Sequence, residues 1–138
     1  VAGFEVIDIS GDAGIKAYGK TLEEAFINAA LGMYSLITDL EGIDEKRTLT
    51  VEVESHSREG LLVSWLNELI FHFDTYGFIG KSIRVGPLKN NRIEAALSGE
   101  DFDPERHERR LLVKAATYHA VRIEEIRGVW ELDVIFDI

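Results

Sequence analysis

Thr21-Leu22-Glu23-Glu24-Ala25-Phe26-Ile27-Asn28-Ala29-Ala30-Leu31-Gly32-Met33-Tyr34-Ser35-Leu36-Ile37 is the stretch on which the fold turns. Its residues Leu22, Ala25, Phe26, Ala29, Ala30, Met33, Leu36 and Ile37 recur at three- and four-residue intervals and so share one helical face. Thr21 and Glu24 form a Thr-x-x-Glu capping box at the start. The spacing predicts a helix over Leu22 to Ile37. A second helix is predicted from about Arg58 to Asp74, where Leu61, Leu62, Trp65, Leu66, Leu69, Ile70 and Phe73 make a wide apolar stripe. Ser57 is its N-cap and Gly77 its terminator. Trp65 and its stripe read as core.

Outward from the helices the pattern changes to a period of two. Thr48 to Glu54 alternates, with Leu49, Val51 and Val53 on one side. Ile83 and Val85 belong to another strand, and Ile93, Ala95 and Leu97 to a third after the turn residues Lys89-Asn90-Asn91. Lys114 to Ile123 reads as one longer strand. Trp130 to Phe136 closes the chain, with Leu132, Val134 and Phe136 facing one way and Asp133, Ile135 and Asp137 the other. Phe4 to Ile7 and Ile15 to Tyr18 flank the turn-like Ser10-Gly11-Asp12-Ala13-Gly14. An amphipathic helix has to bury its stripe, so the expected fold is an α+β two-layer sandwich. Its mostly antiparallel or mixed sheet is covered by two amphipathic helices.

The chain has 138 residues, which suits one domain. No apolar run approaches the ~18 residues of a membrane span, and no charged-then-apolar leader opens the sequence. Cysteine is absent, which removes disulfides and thiolate metal sites. A cytoplasmic protein is expected. With 25 acidic residues against 15 basic ones and a net charge of −10, the chain is poorly suited to neutralising a phosphate backbone. A cation or a basic protein surface is the more natural partner.

No phosphate loop, nucleophile elbow, zincin helix or calcium-loop motif is present, and the four histidines lack metal-ligand spacing. Three segments remain. Asp12, in Gly11-Asp12-Ala13-Gly14, is either a turn aspartate bonded to its own backbone or a carboxylate open to a cation at a glycine-flanked turn. Asp137 and Ile138 follow a strand that stays apolar to its end; they are either an exposed polar terminus or, with the end pinned by Phe136, two neighbouring carboxylates that repel unless compensated. Asp12, Asp137 and Ile138 together make an all-oxygen set that suits a hard cation such as Ca²⁺ or Mg²⁺. The mixed-charge stretch from Phe102 to Arg110 is either a solvated loop or a basic grip on a partner. In Lys114-Ala115-Ala116-Thr117-Tyr118-His119 the polar groups are either satisfied inside the sheet or line the cation site, with Lys114 or His119 behind the ligands.

Taken in order, these segments resemble the archease family along nearly the whole chain. The matching runs are Asp12 to Gly19 with Thr21 to Phe26 and Asn28 to Ala30, Trp65 to Leu69 with Phe73-Asp74-Thr75, Phe102 to Glu108, Val113 to His119, and Phe136-Asp137-Ile138. The resemblance implies a single archease domain over 1–138 and a protein cofactor of the RtcB-type RNA ligase. That ligase joins RNA halves in tRNA splicing and RNA repair, uses GTP and Mn²⁺, and forms a guanylylated histidine. Archease resembles a factor that speeds guanylylation and turnover without catalysis of its own. The resemblance also implies a divalent-cation site on Asp12, Asp137 and the terminal residue Ile138, probed as Ca²⁺ with Mg²⁺ or Mn²⁺ as alternatives. The chain departs from the family where Ile9-Ser10-Gly11 replaces the usual His-Thr-Ala. Archease-like proteins are alternatively chaperones or modulators of a tRNA cytosine methyltransferase. A metal-dependent hydrolase on the same aspartates is the third class, and no general base is visible for it.

Overall fold

A computed structural model describes residues 3–138. The elements run β1 (Phe4–Ile9), β2 (Asp12–Gly19), α1 (Leu22–Ile37), β3 (Arg47–Glu54), α2 (Arg58–Tyr76), β4 (Phe78–Val85), β5 (Arg92–Asp101), β6 (Ala115–Ala116), β7 (Arg122–Ile126) and β8 (Val129–Asp137), with a 3₁₀ turn at Leu40–Gly42. The α+β class and the two amphipathic helices are as expected. The strands divide into two antiparallel sheets: a five-stranded one, β1-β2-β8-β6 with β7 also on β8, and a three-stranded one, β3-β5-β4.

Both helices start where the side chains cap them. Thr21 Oγ1 accepts from Glu24 N–H (3.1 Å) and Ser57 Oγ from Gly60 N–H (2.9 Å). The reciprocal half of the first box is displaced by one residue, because the Glu24 carboxylate reaches Lys20 N–H (3.4 Å). α2 runs two residues past Asp74, to Tyr76. Gly77 then turns left-handed (φ 80°) and its N–H closes on Phe73 O at 2.7 Å.

One core joins the layers. α1 packs on β1, β2 and β8 and also on β4, while α2 packs on β3, β4 and β5 and also on β6 and β7. Phe26, Met33, Trp65, Leu66, Leu69, Phe78, Leu97, Leu132 and Phe136 are completely buried. The Trp65 indole N–H donates to Phe26 O (3.0 Å), so the largest core side chain leaves no polar atom unpaired between the helices.

Two expected boundaries change. The stretch read as a turn is mostly strand: Ser10 and Gly11 alone form the loop, Ile9 pairs with Asp12, and Asp12 opens β2. The single strand expected from Lys114 to Ile123 is two, β6 and β7, separated by 117–121 with Ala120 in the left-handed region (φ 54°). Tyr118 and His119 are therefore exposed on a loop and not held inside the sheet. The break follows from β8, whose residues 136 and 137 pair with β6 while 129 to 133 pair with β7.

Candidate functional site

The alternation of β2 decides where Asp12 faces. Ala13, Ile15 and Ala17 are buried toward the helices, so Asp12, Gly14, Lys16 and Tyr18 lie on the outer face. In β8, Leu132, Val134 and Phe136 point inward and Asp133, Ile135 and Asp137 outward. Antiparallel sheets commonly keep one face wet, and this one is lined by charge. Arg122 bonds Asp133 (2.7 Å), Glu124 (2.7 Å) and Glu131 (3.4 Å), and Lys16 lies 3.8 Å from Asp133 and 3.9 Å from Glu131.

β2 pairs with β8 up to Ala13 opposite Phe136. The pairing ends there, and Asp12 and Asp137 are the next residue on each strand. Facing positions on an antiparallel pair have Cβ atoms about 5 Å apart and point to the same side. The residues from the front and the end of the sequence thus lie at the same end of the five-stranded sheet, with Ile138 following and 37% exposed. Neither aspartate side chain has an ion-pair partner or accepts a hydrogen bond among the described residues, while Lys16 and Arg122, four residues further along the sheet, pair with Glu131, Asp133 and Glu124. Gly11 (φ 81°) leaves open space where a side chain would stand.

The donor set is all oxygen, which suits a hard divalent cation and not a soft one. Among the described residues no group of three or more His, Asp or Glu side chains is gathered for a metal ion. Two carboxylates and the main-chain carbonyl of Ile138 are what this corner can offer.

The neighbouring strand is fixed from α2. Asn67 Oδ1 accepts from Ala116 N–H (2.8 Å) and Asn67 Nδ2–H donates to Ala116 O (3.2 Å). Lys114 N–H donates to Asp137 O (2.8 Å) and Thr117 N–H to Ile135 O (3.0 Å). Lys114 thus meets Asp137 through its backbone. His119 N–H instead reaches Thr117 Oγ1 (3.3 Å). The sequence reading passed over Asn67. Asn67 lies off the apolar stripe beside Glu68, where a polar residue on a helix is ordinary.

The segment from Phe102 to Arg110 is largely exposed, and His107 alone is buried. Glu100, at the end of β5, is 4% exposed; its carboxylate takes Asp44 N–H (2.6 Å), the Arg106 guanidinium, His107 Nε2–H (3.2 Å) and, at 3.5 Å, Lys46 Nζ. His107 Nδ1 accepts from Asp103 N–H (2.8 Å), so the ring carries its proton on Nε2 and donates it toward Glu100. Burial pushes the Glu100 pKa up, but the Asp44 N–H, Arg106 and His107 outweigh it and hold it down at about 2. Arg110 continues the strap onto the end of α1. Its N–H donates to Ile37 O (3.0 Å), Leu111 N–H to Leu36 O (2.9 Å) and the Arg110 guanidinium to Ser35 O (3.0 Å), satisfying carbonyls that a helix C-terminus leaves open. Arg106 and Arg110 fasten the strap while remaining about 40% exposed, and Arg109 stacks at 5.4 Å over Phe102.

Comparison with known proteins agrees with this architecture. Residues 4–138 match the model of the Archease protein family (MTH1598/TM1083). Protein archease of Sulfurisphaera tokodaii is 36% identical over 136 residues, with 98% of each chain covered, and that of Aeropyrum pernix 38% identical over 133 residues, with 94% of this chain and 92% of its own covered. The solution structure of Methanobacterium thermoautotrophicum protein 1598 superposes with a TM-score of 0.80 at 38% identity, covering 99% of both chains. A Thermotoga maritima archease, described as a possible chaperone, shares the fold at 18% identity with a TM-score of 0.67, covering 96% of this chain and 94% of its own. Matched from β1 to the end of β8 at identities above one third, the chain belongs to the archease family.

Proposed function

We propose that this protein activates an RtcB-type RNA ligase, promoting its guanylylation and turnover, through a divalent-cation site made by Asp12, Asp137 and the main-chain carbonyl of Ile138. The observation that supports the reading is that Asp12 and Asp137 follow the last β2–β8 pair, Ala13 opposite Phe136, on the solvent side of the sheet, with neither carboxylate in an ion pair among the described residues. Like charges directly opposite each other destabilise a sheet, so their presence calls for a counter-charge from outside the chain.

A bound Ca²⁺, Mg²⁺ or Mn²⁺ supplies concentrated positive charge, with its remaining coordination sites filled by water or by a partner. The chain's own part is placement. β2 and β8 hold Asp12 and Asp137 in register, Gly11 keeps side-chain bulk away from the loop, and the acidic edge suits the approach to a cation-rich nucleotide site on the ligase. No nucleophile or general base accompanies the aspartates, and the reading gives the protein no reaction of its own. Net charge −10 fits contact with a protein and not with a phosphate backbone.

The test is single-turnover guanylylation of the ligase with wild type, Asp12→Ala and Asp137→Ala. Loss of acceleration in both variants is expected, and undiminished acceleration by both overturns the reading. A second reading, modulation of a tRNA cytosine methyltransferase as a chaperone, draws on the exposed apolar side chains Phe71, Tyr76, Leu112 and Tyr118. Affinity capture with the bait at native abundance separates the two: recovery of the ligase supports activation, and recovery of the methyltransferase supports the chaperone reading.

A further inference from the structure

β6 is two residues long, and a strand that short has almost no pairing energy of its own. It is nevertheless the strand that covers the free edge of β8 at Phe136 and Asp137. On the α2 side the Asn67 amide engages both polar groups of Ala116, in the way a neighbouring strand would. On the β8 side Ala115 faces Asp137 and Ala116 faces Phe136, with Lys114 N–H on Asp137 O and Thr117 N–H on Ile135 O. Burial of Val113 and Ala116 adds to the hold. A continuous path runs from the middle of a buried helix through one side chain to the backbone of Asp137.

We infer that Asn67 is a positioning residue of the candidate cation site: by latching β6 onto α2 it holds Asp137 opposite Asp12. This rests on the reading of Asp12 and Asp137 as cation ligands. Two facing carboxylates push the last residues of β8 outward, and strand ends fray readily. With β6 latched, that splaying is resisted and the ligands stand ready before any cation arrives. Without the latch, binding has to order β6 and the end of β8 at the same time, which weakens it. The coupling is reciprocal, so an ion that binds the two aspartates tightens β6 on α2.

The experiment is calorimetric titration of the full chain with CaCl₂, and separately MnCl₂, alongside amide exchange at Ala116 and Thr117. Wild type binds and Asp137→Ala does not. Asn67→Ala binds about tenfold more weakly, as loss of a ligand's supporting partner commonly does, and its Ala116 amide exchanges faster. Asn67→Asp retains the acceptor for Ala116 N–H and falls between the two. If charge alone mattered, Asn67→Asp would bind more tightly than wild type, and that order overturns the inference. Should Asn67→Ala not fold, wild type serves: CaCl₂ slows exchange at Ala116, and unchanged exchange in the bound protein overturns the coupling. Wild-type affinity in Asn67→Ala with loss in Asp137→Ala defeats the role of Asn67 and leaves the cation site standing. Absence of binding by wild type defeats both.

Discussion

Replacing Asp137 by Asn preserves the shape of the side chain and removes one of the two facing charges, so its effect on stability reverses sign with the cation. Side chains at facing positions are about 5 Å apart, and two unit charges at that distance in water repel by about 0.8 kcal/mol. Salt at 0.1 M, with a screening length of about 10 Å, reduces this to about 0.5 kcal/mol. For a chain of 138 residues that raises the melting temperature by about 2 °C in a chelator. Calcium at about 100 times its dissociation constant stabilises wild type by about 2.7 kcal/mol and leaves the variant behind. Asp137→Asn is therefore the more stable protein in chelator and the less stable one in calcium. Scanning calorimetry in EDTA and in CaCl₂ at matched ionic strength reads both limbs. At 1 M KCl, where the screening length is about 3 Å, the advantage in chelator disappears. A variant that melts at or below wild type in chelator, or an equal calcium shift in both proteins, refutes the reasoning.

Other consequences follow from the fold. Because the Glu100 pKa is lowered from 4.5 to about 2, its contribution is fully present above pH 4.5 and is lost as the pH falls toward 2; Glu100→Gln flattens the acid limb of the stability curve in that window, read by urea midpoints. Trp65→Phe removes the indole bond to Phe26 O, which keeps its helical partner, and leaves a gap at a completely buried position, costing about 2–4 kcal/mol in chemical denaturation followed by far-UV dichroism. Ser57→Ala removes the acceptor for Gly60 N–H and costs about 1 kcal/mol in the same assay.

The helices were legible because their signals are local. The interval pattern from Leu22 to Ile37 and the caps at Thr21, Ser57 and Gly77 each depend on residues within one or two turns of each other. The alternation of Thr48 to Glu54 and Trp130 to Phe136 was legible for the same reason. The stretch from Lys114 to Ile123 was misread because its apolar composition says nothing about where a partner strand ends. Ala115-Ala116 is a strand through Asn67 and β8, and 117–121 leaves the sheet before β7 rejoins it lower on β8. The basic residues around His107 were visible, but their direction was not. Glu100 is 6 and 7 residues away from Arg106 and His107, and at the end of β5 it meets the buried His107 ring from within and the part-exposed Arg106 guanidinium from the surface.

Residue types and their short-range order were enough for the α+β class and for two capped helices. Those properties arise from contacts a few residues apart and from side-chain chemistry that does not depend on context. That Asp12 and Asp137 lie at the same end of the sheet depends on the register of β2 against β8, a pairing between the first and last thirds of the chain, and no local interaction carries that information. The two-sheet division, the latch of Asn67 on β6 and the inward clamp of Glu100 belong to the same category. Each is settled by which distant backbone happens to lie alongside once the core has closed.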